Sequence, residues 1–180
     1  SFHMIRHIRD ETLRFGRAAF VDVEQKQLTP AVEIIIAINI LFTAVVSGIG
    51  GPRLRQVGAH CFLYTMTMFE GVHQLLHGEV VSFGMLVQLA LEKESSELRN
   101  LMSFLHDIRI PLTLKALGMG NLSESQLLMA ARQMTTEGSP LHALPYAVKA
   151  EDVLRAIYQV DEMGKAVESH GRSQPWKSPE

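Results

Sequence analysis

Apolar side chains recur at intervals of three and four residues along most of the chain, which is the period of an amphipathic helix. The pattern is clearest between residues 98 and 105 and between residues 127 and 134. Alternation of apolar and polar residues, which is typical of strands, never persists beyond a few residues. The pattern therefore predicts an all-α fold, a compact multi-helix domain of about seven to nine helices.

Residues that start and stop helices divide this pattern. Thr29-Pro30 combines a capping side chain with proline in the first turn, and the glycines at 48, 50 and 51 end the helix that follows. Ser123 is a second cap, and Gly138 ends its helix. The predicted helices run roughly over residues 6–20, 29–46, 53–69, 78–93, 95 to before Pro111, 113–117, 123 to before Gly138, and 153–167. Residues 141–148 are predicted to form a loop.

Length and composition favour one domain in a reducing compartment. The chain has 180 residues, and 47% of them are hydrophobic, which is enough for one core. The 17 basic and 19 acidic residues leave a net charge of −2, which argues against a nucleic-acid partner. The single cysteine, Cys61, excludes an internal disulfide and a cysteine-rich zinc module, and it predicts a cytoplasmic location.

We expect a helical domain over residues 10–168, an N-terminal extension over residues 1–9 and a flexible polar tail over residues 169–180. Met4 is a candidate natural start, and no secretory signal is visible around it. The longest apolar run, Ile34–Val46, is short for a bilayer and contains Asn39. A helix buried in a protein core is therefore favoured there, with a membrane span as the alternative.

Three of the eight histidines lie where two helices meet. His60 is inside one predicted helix, and His77 stands at the head of the next. If the two helices pack together, the imidazoles come close, and neutral imidazole binds zinc and iron(II) well. The alternative is that one is a core histidine and the other a cap. His73 and His77 form a second i, i+4 pair, although Gly71 makes that stretch resemble a loop.

The remaining candidates favour structural roles. His142 is expected to fix a loop by a hydrogen bond, and Asp161 and Glu79 are expected to be surface or cap residues. Four histidines are expected to be solvated or at a helix end, namely His3, His7, His106 and His170.

Several motifs in one order resemble a known family. Ala59-His60, Phe69–Gly71 and His77–Gly84 (HGEVVSFG) resemble the C-terminal domain of the glycerol dehydrogenase group, within the metal-dependent (iron- or zinc-containing) alcohol dehydrogenases. Further similar segments are Leu28–Val32 (LTPAV), Ser47–Gly50 (SGIG), Leu86–Leu91 (LVQLAL), Ile110–Leu114 (IPLTL), Glu137-Gly138 with His142–Pro145 (HALP), and Ala150–Asp161. The similarity extends roughly from Asp10 to Gly164.

The resemblance implies a two-domain enzyme. In such proteins an N-terminal α/β domain binds NAD, and a helical C-terminal domain supplies most ligands of a zinc or iron ion that holds the substrate hydroxyl. By resemblance, His60 and His77 are the two histidine ligands, and no residue of this chain is assigned to catalysis or to NAD binding. The implied substrates are small alcohols, polyols such as glycerol, or hydroxy acids, and the implied assembly is a homo-oligomer without nucleic-acid or membrane partners.

The chain also departs from the family pattern. The NAD domain and the family's aspartate ligand would precede the region seen here, and the glycines ahead of the first histidine are replaced by Arg53–Gln56. Arg53 or Arg55 would suit a hydroxy acid, whereas the alternative is a solvated helix face. We therefore expect this chain alone to be inactive. The rival hypothesis is a non-catalytic helical module that forms oligomers, with Met66, Met68 and Phe69 as a candidate patch.

Overall fold

A computed structural model describes residues 2–46, 48–49 and 58–169 of the chain. These residues are helical with no strand among them, which confirms the all-α prediction. Seven α-helices are described: α1 (Phe2–Glu24), α2 (Pro30–Ala37), α3 (Gly58–Met66), α4 (His77–Leu91), α5 (Ser95–Asp107), α6 (Glu124–Met134) and α7 (Ala150–Ser169). A π-helix (Ile38–Phe42) follows α2, and 3₁₀-helices cover Glu70–Gln74 and Pro140–Ala143.

The described residues fall into two compact units. The first unit contains α1 and α2, and the second contains α3 to α7. No described helix has the length and apolar character that crossing a membrane requires. The domain boundaries expected from the sequence, at residues 10 and 168, stay predictions.

The first unit is tied together at the start of α2. Thr29 caps this helix, because its hydroxyl oxygen accepts a hydrogen bond from the Val32 amide, and Pro30 occupies the first turn. The same hydroxyl donates to Asp22 Oδ2 at 2.6 Å, which links the cap to α1. The cap predicted at Thr29-Pro30 is therefore confirmed, and it also connects the two helices.

The second unit has a continuous apolar core built from all five of its helices. Phe62 of α3 and Phe83 of α4 are fully buried, and their ring centroids lie 5.4 Å apart. Other fully buried side chains come from the remaining helices and the turns between them: Leu98, Met102, Leu112, Leu117, Met119, Leu127, Met134, Leu141, Val153 and Ile157. This core holds α3 and α4 in fixed positions relative to α7.

Two predicted elements differ in the structure. Residues 113–117, expected to be a short helix, form a turn, because too few residues separate Pro111 from Gly118, whose φ of +68° stops the helix. The chain around Pro140 is a 3₁₀-helix where a loop was expected. Within the predicted helix 53–69, residues 53–57 lie outside the described residues, and the helix ends at Met66. Residues 170–180 of the predicted tail also lie outside them.

Candidate metal centre

His60 and His77 lie side by side in the second unit. His60 is in the first turn of α3, and His77 is the first residue of α4. Their ring centroids are 5.5 Å apart, and the ring planes meet at 51°. His60 is half-buried, whereas His77 is exposed. The structure therefore brings together the two residues that the sequence assigned as metal ligands, at an edge that solvent reaches.

The close packing of α3 on α4 sets this geometry. Gly84 of α4 faces the backbone of α3 so closely that a Cβ placed on it would lie 2.6 Å from the Ala59 carbonyl oxygen. The same atom would lie 3.0 Å from Phe62 Cβ. Glycine is thus required at this crossing, one residue away from His60 on the opposing helix.

The N-terminal turn of α4 is closed by Glu79. Its Oε2 accepts a hydrogen bond from the Leu76 amide at 2.8 Å, which satisfies one of the amides that a helix start leaves unpaired. The expectation that Glu79 is a cap is confirmed. Because His77 is the first residue of this turn, the cap also fixes the backbone that carries the second imidazole.

The electrostatic setting favours the neutral form of His60. Burial lowers the pKa of His60 below its usual 6.5, and the nearby His77 lowers it further by like-charge repulsion. A neutral imidazole keeps one unprotonated ring nitrogen, which can donate its lone pair to a metal ion. Tyr64, one turn further along α3, lies beside His60 with ring centroids 6.3 Å apart. Within the described part of the chain, neither imidazole makes a hydrogen bond, so both have nitrogen atoms available for a ligand.

The donor set fits a transition-metal ion but supplies only two ligands. Zinc and iron(II) accept neutral imidazole, and catalytic zinc sites usually take three protein ligands. Among the residues that the structure describes, no group of three His, Cys, Asp or Glu side chains is arranged to hold a metal. A centre with three protein ligands is therefore not complete among the described residues.

Among the described residues of the second unit, no other histidine joins this pair. His73 lies in the 3₁₀-helix Glu70–Gln74, and its Nε2 is 2.7 Å from the Thr67 carbonyl oxygen, so it fixes the turn between α3 and α4. His142 Nε2 lies 3.0 Å from the Thr136 carbonyl oxygen, which confirms its expected role in fixing a loop. His7 packs edge-on against Phe42 in the first unit. His170 lies outside the described residues.

Two further expectations can be placed. Asp161 was expected to be a surface or cap residue. It is not at the surface, since only 5% of it is exposed, and its Oδ1 accepts a hydrogen bond from the Leu114 amide. Met66 is core, so the patch expected with Met68 and Phe69 is smaller than predicted. Arg53 and Arg55 lie outside the described residues.

The thiol of Cys61 is buried. It lies 3.4 Å from Ser139 Oγ and 3.7 Å from the Met134 carbonyl oxygen, so these contacts give the cysteine a structural role.

Sequence reasoning missed one residue beside this pair, Gln88. It is the only polar side chain in the apolar run Leu86–Leu91 of α4, and that interruption is the signal that singles it out. Its side chain reaches the first turn of α3, next to His60.

Comparison with known sequences finds dehydrogenases. The chain is 30% identical over 166 residues to a glycerol dehydrogenase of Thermotoga maritima and 31% identical over 166 residues to one of Pseudomonas putida. Each alignment covers 92% of this chain but 44% of the relative. It is 34% identical over 139 residues to an uncharacterized oxidoreductase of Synechocystis, covering 72% of this chain and 36% of that protein. The chain thus spans less than half the length of these relatives. No family model matches it.

Comparison with solved structures gives the same group. A probable glycerol dehydrogenase from Sinorhizobium meliloti 1021 superposes with a TM-score of 0.83 and 29% identity, over 92% of this chain and 46% of that one. The glycerol dehydrogenase of Schizosaccharomyces pombe superposes with a TM-score of 0.84 and 28% identity, over 98% of this chain and 45% of that one.

Proposed function

Since the chain resembles the C-terminal helical domain of the glycerol dehydrogenases in sequence and in fold, we propose that it is the metal-binding domain of an NAD-dependent, metal-containing dehydrogenase. Its substrate is a small alcohol, a polyol such as glycerol, or a hydroxy acid. The observation that carries this proposal is the pairing of His60 with His77, 5.5 Å apart, at an open edge of the helical core.

The residues have distinct tasks in this proposal. His60 and His77 offer ring-nitrogen donors, while Gly84 and Glu79 fix the two helices that carry them. A divalent zinc or iron ion bound there supplies Lewis-acid chemistry toward an alcohol oxygen. The third ligand and the NAD site belong to a separate α/β domain, so this chain alone is expected to oxidise no alcohol. The single buried thiol supports a reducing location, for which we retain the cytoplasm.

Zinc titration by calorimetry tests the ligand assignment. We expect wild-type chain to bind one zinc ion weakly, and His60→Ala or His77→Ala to abolish that binding, because a single imidazole holds zinc poorly. His142→Ala is the matched control, since its ring bonds a carbonyl elsewhere in the same unit. Equal zinc binding by wild type and the His60→Ala/His77→Ala variant would refute the assignment.

Activity is measured separately. The purified chain, supplied with zinc, NAD and glycerol, is expected to produce no NADH. Measurable turnover by this chain alone would contradict the division of labour between two domains. We expect NADH to form only when the nucleotide-binding domain of a full-length relative is added, either as a separate protein or by fusion.

A second function, a module that forms oligomers, is favoured by an exposed apolar face in the first unit. Ile36 and Ile40 are 47% and 70% exposed, and their i, i+4 spacing places them on one side of a helical segment. If a second copy covers this face, Ile40→Lys should reduce the mass measured by light scattering to that of a monomer. Asn39→Lys, at the exposed neighbouring position, should leave the mass unchanged. A wild-type monomer would rule this function out.

A further inference from the structure

Gln88 connects the two helices that carry the histidines. Its Oε1 accepts a hydrogen bond from the Ala59 amide of α3 at 3.3 Å. Its Nε2 donates to Oε1 of Glu92, the residue that follows α4, at 2.8 Å. The amide group is therefore fixed at both ends, by a backbone donor on one helix and a carboxylate on the other.

The contact meets a specific need at the start of α3. The first amides of any helix lack a partner within that helix, and a polar side chain usually supplies one from just before it. The Ala59 amide, in the first described turn of α3, has an acceptor on α4. Gly58 leaves the necessary room, since a Cβ on it would lie 2.7 Å from Gln88 Oε1.

We propose that Gln88, held in orientation by Glu92, is a positioning residue for His60. It fixes the N-terminal turn of α3 one residue before the imidazole, and it does so from the helix that begins with His77. The helix α4 thereby carries His77 and also fixes the backbone that carries His60. This inference rests on the proposed metal-binding function of the pair.

Groups that orient metal ligands without touching the metal typically contribute roughly 10- to 100-fold to metal affinity. Gln88 acts on the backbone rather than on the ring, so we expect the low end of that range. A purely structural role would instead lower the stability of the whole unit and leave zinc affinity of the folded chain unchanged. Affinity and stability therefore separate the two explanations.

The main variant is Gln88→Met, which keeps the length and removes both hydrogen bonds. We expect zinc affinity to fall about tenfold and the Ala59 amide to exchange with solvent faster than in the wild type. Gln159→Met, at an exposed position of α7, is the matched control and should change neither quantity. Glu92→Ala, which removes only the second hydrogen bond, should give a smaller loss of affinity and remains informative if Gln88→Met does not fold.

A swapped pair provides the rescue. In the Gln88→Glu/Glu92→Gln variant, the carboxylate at 88 accepts from Ala59 and the amide at 92 donates to that carboxylate, so the chain of hydrogen bonds and the net charge are preserved. We expect wild-type zinc affinity from it. Affinity that stays low in the swapped variant, or unchanged affinity in Gln88→Met, would overturn the proposal.

A measurement without metal separates this inference from the proposed function. If wild-type chain binds no zinc, or binds it independently of His60, the metal assignment fails by itself. The positioning role is then decided by NMR on the metal-free chain. We expect the through-space signal between the His60 and His77 rings to weaken in Gln88→Met and to return in the swapped variant. A signal of wild-type strength in Gln88→Met would refute it.

Discussion

Two polar clusters in the second unit are built in opposite ways. Asp161 is buried on α7, where its Oδ1 accepts from the Leu114 amide at 2.7 Å and its Oδ2 lies 2.7 Å from Lys165 Nζ. Gly164, one turn further along α7, lies against the Leu112 carbonyl. His60 and His77 instead lie at an open edge, and their rings make no hydrogen bond within the described residues.

The difference separates polar groups that hold the fold from polar groups that are available to a ligand. A buried carboxylate is stable only when its oxygens are paired. Asp161 Oδ1 secures the turn at 113–118 against α7, and Oδ2 is paired with Lys165 of the same helix. Half-exposed imidazoles need no such partners, so they can remain free for a metal ion. Damage to the first cluster should therefore affect stability, and damage to the second should affect binding.

The largest expected effect is a loss of stability and concerns the cluster around Asp161. In Gly164→Ala, the new methyl group overlaps the Leu112 carbonyl oxygen, so α7 and the turn must separate. We expect a loss of about 2–3 kcal/mol in the free energy of unfolding, measured with urea. Gly78→Ala is the control, because nothing lies within 4 Å of a Cβ there. Equal stability of both variants would show that the turn is not anchored as described.

Asp161→Ala comes next. It leaves the buried Leu114 amide without an acceptor, which should lower the free energy of unfolding by about 2 kcal/mol. Asp161→Asn keeps an oxygen facing that amide and should lose less. Urea unfolding of the two variants measures the difference, and zinc binding of the folded chains should not change. A loss of equal size in both variants would argue against the hydrogen bond as the cause.

Gly84→Ala should disturb both properties, because Gly84 belongs to the core and also sets the spacing of the histidines. The methyl group would push α3 away from α4, with an expected cost of about 1–3 kcal/mol and weaker zinc binding. Unfolding and calorimetry on the same preparation measure the two effects, with Gly78→Ala on the same helix as the control. Normal zinc affinity in a destabilised Gly84→Ala chain would mean that helix spacing does not control the pair.

A smaller effect concerns protonation. The pKa of His60 is lowered by burial first and by His77 second, so His77→Gln should raise it only part of the way toward 6.5. An NMR titration of the His60 ring measures this shift. Because the unfolded chain binds a proton at higher pH than folded His60 does, stability should fall as pH drops through 6.5. Full recovery of the pKa in His77→Gln would show that burial is not the main cause.

The sequence predicted the elements best where a local signal exists. Thr29-Pro30 and Ser123 marked helix starts correctly, since a cap acts within three residues of its helix. The closeness of His60 and His77 was predicted on the condition that the helix containing His60 packs against the helix that His77 begins. Gln88 was missed because its partner Ala59 lies on another helix, and no local pattern reveals a cap supplied across a helix pair.

Three helix ends were harder to predict, because the residue that ends each helix is not a glycine. Lys26, Lys93 and Arg109 end α1, α4 and α5 with φ near +60°, a conformation that usually belongs to glycine. The Glu94 amide, for example, bonds back to the Leu89 carbonyl at 3.1 Å, which closes the last turn of α4. The burial of Asp161 was not predicted, because its amide partner Leu114 is distant in the chain.

The contact between the tilted Phe62 and Phe83 rings has a consequence for the proposed binding of metal. Because these fully buried side chains join α3 to α4 without any ion, the apo form should already be native, unlike a zinc finger. At a free zinc concentration equal to its dissociation constant, binding would stabilise the chain by only about 0.4 kcal/mol. A chelator such as EDTA should therefore shift the melting temperature by about 1 °C, and the cell could exchange one metal for another without refolding the protein.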